Sequence, residues 1–382
     1  MSNPPAPSAA PPALAVIGAS GFVGLRAVEL LSARADLAVR PVVRAASSLA
    51  VLARQRLDWR IADFLTVDPL AAALRGCPVC VHAAIGDAGQ IVRMAEVAYR
   101  ACAAGGVRRL VWLSSASVHG QNCAPGTDES TPLHTHHPLV YNNAKVRAEV
   151  RLLQLARDGR VEVVLLRPGV VFGPRSRWIA DAAADLLAGR AAWIDDGAGV
   201  CNSIYIDNLV EAIRLAAIVP AAAGGTFLVG DAETVTWADF LLPIAQHLGL
   251  DRSAFQAVPP PRIVPERESR LTALTLSPAY AALARRVPDR AKRLAKALAT
   301  AWPAPPRKPD PWTLRSCHPT PRLTPELALL QQCRWRLPHT RATQILGYHP
   351  PVPFTEGLRR SLAWLEFAEL AAPPSCPTRS AS

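Results

Sequence analysis

Short apolar runs alternating with amphipathic stretches organise most of this chain. Residues 14–17 are apolar, 18–24 hold three glycines, and 25–31 carry apolar positions at helical spacing. Further apolar runs lie at 38–43, 59–63, 79–84, 109–115, 161–166, 203–207 and 226–230, with helical patterns at 88–104, 141–153 and 208–213. Runs this short, bounded by turn residues, read as strands. Strands alternating with helices predict an α/β fold with a doubly wound, parallel, Rossmann-type sheet. The pattern divides the chain into a Pro/Ala-rich tail (1–12) and a nucleotide-binding domain (13–174 with 204–232). A smaller, discontinuous C-terminal substrate domain (175–203 with 233–370) and a second tail (371–382) complete it. Within it, 256–334 is basic, rich in proline and without a clear assignment.

The glycines sit where the first strand meets the first helix. In that setting Gly18 permits the tight turn, Gly21 lets backbone approach a pyrophosphate, and Gly24 lets helix pack on strand. Phosphates would rest at the helix N-terminus. The second strand ends at Arg44, where an NAD-specific fold places an acid for the ribose 2′-hydroxyl. An arginine suits a 2′-phosphate, so the reading prefers NADP and keeps NAD as the alternative.

Lys145 is the only lysine before Lys292, and it follows Tyr141 by four residues in a helical pattern. Side chains at i and i+4 share a helix face. An ammonium beside a phenol favours phenolate, so Lys145 is expected to pull Tyr141 down towards working pH, making it a general acid/base. Ser114 to Gly120 leave the fifth strand at the sheet edge where such folds bind ligands, and a hydroxyl from there can face Tyr141.

Composition narrows the class. The chain has 382 residues, 50% of them hydrophobic, and no run long enough to span a membrane; it reads as soluble and cytoplasmic. Its eight cysteines form no framework and read as reduced thiols, with Cys77 and Cys80 packing at a strand entrance. No metal site is expected, and His134, His136 and His137 read as a solvated loop. The net charge of +12 is concentrated beyond residue 255. No nucleic-acid module accompanies it. Residues 289–302 make a basic amphipathic helix, so peripheral contact with an anionic membrane stays open beside packing on the domain.

The motifs from Gly18 to Gly24, together with Asp63, His82-Ala-Ala, Ser114 to Gly120, Tyr141-x-x-x-Lys145, Arg167-Pro and Gly173-Pro, resemble the extended short-chain dehydrogenase/reductases, the NAD-dependent epimerase/dehydratase group. Leu346 to Pro350 and Glu356-Gly-Leu resemble that group's C-terminal end. The resemblance implies that Ser115 orients a substrate oxygen, Tyr141 moves the proton and Lys145 holds the nicotinamide ribose. It places Gly18, Ser20, Gly21, Phe22, Val23 and Gly24 along the pyrophosphate, Arg44 on the adenosine ribose and Asp63 on the adenine. Ala83, Ala84 and Pro168 complete the cofactor's lining, while Arg175 and Arg177 lie beside the substrate. Two features depart from the usual pattern: His119 before Gly120, and Asn142-Asn143 within the Tyr-Lys interval. Ala116-Ser117 after Ser115 speaks against the sugar-nucleotide dehydratases, which place Asp-Glu there.

Three functions follow. The first is an NAD(P)-dependent oxidoreductase interconverting a carbonyl and a secondary alcohol on a small-molecule substrate. The second is a nucleotide-sugar epimerase that retains NAD, with Arg175 and Arg177 gripping a diphosphate. The third is a non-catalytic cofactor sensor, which the intact Ser115, Tyr141 and Lys145 disfavour. A homodimer stays open.

Overall fold

The computed structural model describes residues 13–34, 37–53, 57–266 and 320–368. The basic segment 289–302 lies outside them, as do both tails. In chain order the first half gives β1 (Ala13–Ile17), α1 (Phe22–Ser32), β2 (Ala38–Val43), β3 (Arg60–Ile61), α2 (Val67–Leu74), β4 (Val79–His82), α3 (Ala88–Gly105), β5 (Arg109–Leu113) and α4 (Val140–Ala156). The second half adds β6 (Glu162–Pro168), β7 (Val170–Phe172), α5 (Arg177–Leu187), β8 (Ala192–Trp193), β9 (Val200–Cys201), β10 (Ser203–Tyr205), α6 (Ile206–Ile218) and β11 (Thr226–Val229). After α7 (Trp237–His247) come α8 (Pro325–Gln331), α9 (Thr340–Leu346) and α10 (Phe354–Phe367).

Seven parallel strands form the central sheet in the order β11-β6-β5-β4-β1-β2-β3. β4 and β5 are buried along their whole length, as expected of strands covered on both faces. One apolar core joins α1, α6 and α9 to one face, and a second joins α2, α3 and α4 to the other. The strand order reverses between β1 and β4, and the crevice at their C-terminal ends is where such sheets take ligands.

A third core lies beyond the sheet, around the aromatic contacts of Phe172, Tyr205, Trp237, Phe240 and Phe354. Over it runs a strap, residues 332–337. A side chain at Gly199 would put its Cβ 1.8 Å from the Gln331 carbonyl oxygen, so only glycine lets the strap dock. The Cys333 carbonyl accepts from Val200 N at 2.7 Å, and Asn202 both donates to the Trp335 carbonyl (3.1 Å) and accepts from Leu337 N (2.8 Å). Arg26 on α1 grips Asp207 on α6 with two hydrogen bonds of 2.7 and 2.9 Å, and Arg360 on α10 reaches the same carboxylate at 3.4 Å.

Candidate active site

The glycine turn fills the sheet's crevice. Gly18 has a φ of +82°, and a Cβ there would lie 2.6 Å from Ala84 N. A Cβ on Gly24 would lie 2.1 Å from the Gly18 carbonyl oxygen. Both positions are therefore closed to side chains by the protein's own backbone. Gly21 differs: its Cβ would meet nothing nearer than 3.3 Å. Packing does not demand glycine at position 21, whereas close approach of a ligand to the α1 N-terminus would. Gly21 caps α1 without a side-chain bond, so the backbone donors of the first turn are not taken by a cap. This cradle fits a dinucleotide's pyrophosphate.

Arg44 stands exposed at the end of β2, and among the described residues it has no hydrogen-bonding or ionic partner. Asp63 is also exposed at that edge. Its carboxylate accepts from Leu65 N (3.1 Å) and Thr66 Oγ1 (2.7 Å), closing the turn into α2.

Ser115 leaves β5 and opens a tight turn, its Oγ accepting from Ser117 N at 3.2 Å. Its hydroxyl is also hydrogen-bonded to the Tyr141 phenol. Tyr141 sits in the first turn of α4, facing Ser115 across the floor of the cleft. Burial pushes the Tyr141 phenol up to about 12, Glu326 adds to the rise, and Arg177 and Ser115 oppose it. The expected downward pull of Lys145 is not what prevails. The Lys145 ammonium donates to the Leu113 carbonyl at 2.9 Å and lies 5.7 Å from the Tyr141 ring centre. Burial lowers Lys145 itself to about 8. The two side chains do share a face, but desolvation outweighs the charge of an ammonium turned towards the strand.

Beneath the pair runs a buried network the sequence reading missed. Glu149, one turn after Lys145, accepts from Arg167 at 3.1 and 2.6 Å and from the Ser114 hydroxyl. Arg167 also donates to His119 Nε2 at 3.0 Å; burial and this guanidinium hold His119 down at about 4. Helical spacing from Lys145 was the available signal for Glu149. His82, at the end of β4, stacks on Trp112 with ring centres 4.3 Å apart, and burial holds it neutral at about 3.

The two unusual asparagines are fasteners. Asn142 and Gln121 exchange two amide hydrogen bonds of 3.1 and 2.7 Å. Asn143 accepts from His137 N and donates to the His137 carbonyl, both at 2.9 Å. His137 is thus buried, with its ring on the Val118 carbonyl at 3.0 Å, rather than solvated like His134 and His136. These bonds hold the loop 120–138 against α4, forming one lip of the cleft.

The cleft has a volume of about 710 Å³. Ser115, Tyr141 and Pro168 lie in it; Leu139, Val170, Trp178, Leu186, Trp237 and Leu241 give it apolar walls, and α8 closes the far side with Glu326, Leu327 and Leu330. Among the described residues its charged lining is Arg177 and Arg322 against Asp181, Asp185, Glu266 and Glu326. Both arginines are paired, Arg177 with Glu326 at 2.9 Å and Arg322 with Asp185 at 3.4 Å. Arg175, at a φ of +73°, lines a separate hollow of about 160 Å³ beside Phe22 and Arg360. The structure therefore separates Arg175 from Arg177. Among the described residues no cluster of metal-ligating side chains occurs, and no helix is long and apolar enough to cross a membrane. Cys77 and Cys80 are buried thiols.

Fold and family define an extended short-chain dehydrogenase/reductase, an NAD(P)-dependent oxidoreductase or epimerase by type. The chain matches the model of the 3-beta hydroxysteroid dehydrogenase/isomerase family over residues 15–259, and it belongs to that family. A 3beta-hydroxysteroid-dehydrogenase/decarboxylase (isoform 1) of Arabidopsis thaliana is 23% identical over 381 residues, covering 91% of this chain and 78% of that protein. A UDP-glucose 4-epimerase of Vibrio cholerae is 28% identical over 269 residues, 64% of this chain and 78% of its own. Among solved structures, a dTDP-glucose 4,6-dehydratase from Streptomyces venezuelae with NAD bound superposes with a TM-score of 0.65 at 20% identity. It covers 93% of this chain and 97% of its own, which establishes the shared fold.

Proposed function

We propose that the protein interconverts a secondary alcohol and a ketone on an apolar, ring-bearing substrate, with Tyr141 as general acid/base. One observation carries this reading: the walls above Ser115 and Tyr141 are apolar, and both arginines lining the cleft are already paired with carboxylates. Among the described lining residues, a nucleotide diphosphate entering there would meet four carboxylates and no unpaired cation. The family's hydroxysteroid activity supports an alcohol of that shape, and the Arabidopsis thaliana relative is named for such an activity.

The nicotinamide supplies and takes the hydride when bound. Ser115 donates to the substrate oxygen, holding it towards the Tyr141 hydroxyl. Tyr141 is protonated at neutral pH, so it gives a proton in ketone reduction and must lose one for alcohol oxidation. Lys145, fixed by the Leu113 carbonyl, supports the phenolate that forms and offers donors to a ribose. Arg44, exposed at the β2 edge and without a partner among the described residues, supports NADP over NAD. α4 exposes Val150 and Leu153, and they support a homodimer through that face; light scattering tests it.

The deciding experiment incubates purified protein with 3-hydroxysteroids, other ring alcohols and UDP-sugars, with NADP and NAD in parallel. Turnover of a ring alcohol with one reduced cofactor released per alcohol consumed is the expected result. Epimerised sugar without release of reduced cofactor would overturn the reading.

A further inference from the structure

The two lips of the cleft meet at a pair of thiols that the proposed chemistry does not use. Cys123, in the loop 120–138, has its Sγ 3.7 Å from the Sγ of Cys333, in the strap that follows α8. Both side chains are buried, and 210 residues of sequence separate them. Each has a neighbour that lines the cleft: Gln121 is two residues before Cys123, and Leu330 is three before Cys333. Around Cys333 the strap is held by Val200, Asn202 and, through Trp335 Nε1, the Thr127 carbonyl at 3.0 Å. The Sγ atoms are therefore presented to each other by well-fastened backbone on both sides.

We propose that Cys123 and Cys333 form a reversible disulfide that staples the α8 strap to the 120–138 loop and so restrains the opening of the cleft. Closing the bond needs the sulfurs to approach by less than the width of an atom.

The oxidant is a hydroperoxide, and the electrons balance over two steps. The Cys333 thiolate attacks one peroxide oxygen; the O–O bond breaks, hydroxide leaves and takes up a proton, and Cys333 becomes a sulfenic acid. Cys123, losing its thiol proton, then attacks that sulfur. The S–O bond breaks, a second water leaves, and the S–S bond forms. Two thiols and one hydrogen peroxide give one disulfide and two waters. Cys333 is assigned as the first nucleophile because Asn202 Nδ2 donates to its sulfur at 3.7 Å; the bond between the two sulfurs can run either way, and Cys333 gives its own proton to the Trp335 carbonyl at 3.3 Å, so that proton leaves before the attack. A thiol and dithiothreitol reverse the bond by exchange.

The test uses the full chain, reduced, desalted and treated with hydrogen peroxide. Digestion with trypsin without reductant places each cysteine alone in a peptide, residues 110–145 and 323–334. A joined species two hydrogens lighter than the sum, lost on adding dithiothreitol, is expected. Hydrogen exchange in segments 121–137 and 325–337 should slow at least about tenfold in the oxidised form, because a cross-link over a long loop suppresses local opening. Cys123→Ala and Cys333→Ala should each abolish both effects, and the first keeps the strap's own thiol and contacts. Peroxide that yields cross-links elsewhere, or only over-oxidised cysteine, overturns the proposal. So does a Cys123–Cys333 bond that leaves exchange in both segments unchanged. Neither readout requires turnover, so they stand apart from the identity of the substrate.

Discussion

At the residue scale the site sets three measurable balances. Tyr141→Phe should lower turnover at least about 100-fold while cofactor affinity, followed by fluorescence, stays within a factor of about two; near-normal turnover would remove Tyr141 from the chemistry. Lys145 is more informative because its burial has a cost. A lysine lowered to about 8 in the folded protein, against 10.5 unfolded, carries a charge at pH 7 that burial disfavours. The unfolded chain binds more protons than the folded one between about pH 8 and 10.5, so this group's contribution to stability rises with pH across that window. Lys145→Met should therefore stabilise the protein by about 1 kcal/mol at pH 7, net of the lost bond to Leu113, with the gain shrinking above pH 8. Thermal unfolding across pH checks it. In the active enzyme the same group predicts that ketone reduction falls above about pH 8, well before Tyr141 titrates; a rate that holds to pH 10 would contradict the role given to Lys145. For Arg44→Ala, weaker NADP binding by at least about tenfold with NAD unaffected is expected, as a charged hydrogen bond to phosphate is lost. Equal losses for both cofactors in a titration would place the 2′-phosphate elsewhere.

At the scale of elements, local pattern carried much of the reading and tertiary contact carried the rest. The strand-turn-helix at Gly18 and the shared helix face of Tyr141 and Lys145 were legible because their geometry depends on spacing within one segment. Arg175 and Arg177 looked equivalent for the same reason, yet the positive φ at Arg175 turns the chain so that the two face different hollows. No spacing rule reveals that α8, almost 200 residues after Tyr141, brings Glu326 to it. Asn143 was noticed only as an odd filling; its two bonds to His137 explain it. Asn143→Ala should cost about 1–3 kcal/mol, because two buried backbone groups lose their partner, and should raise KM more than it lowers kcat. A variant with unchanged unfolding and kinetics would show that the loop holds itself. The Glu149–Arg167 pair sits deeper. Removing one partner of a buried pair leaves the other uncompensated, so Glu149→Ala should cost about 3–5 kcal/mol in denaturant unfolding.

At the scale of the whole molecule, the ion pairs of Arg26, Asp207 and Arg360 join α1, α6 and α10, and α9 completes a core that begins at β1. Ala342, Leu346 and Tyr348 are buried against the sheet, with the Tyr348 hydroxyl on the Gly230 carbonyl at 3.0 Å. The feature has a consequence for synthesis. A ribosome makes residues 13–230, every strand of the central sheet, long before it makes the residues that cover the β11 edge. Until residues 342–348 have emerged, the nascent chain presents apolar surface at the β11 edge that, among the described residues, α9 covers, and such exposed surface is what makes a half-made chain prone to association.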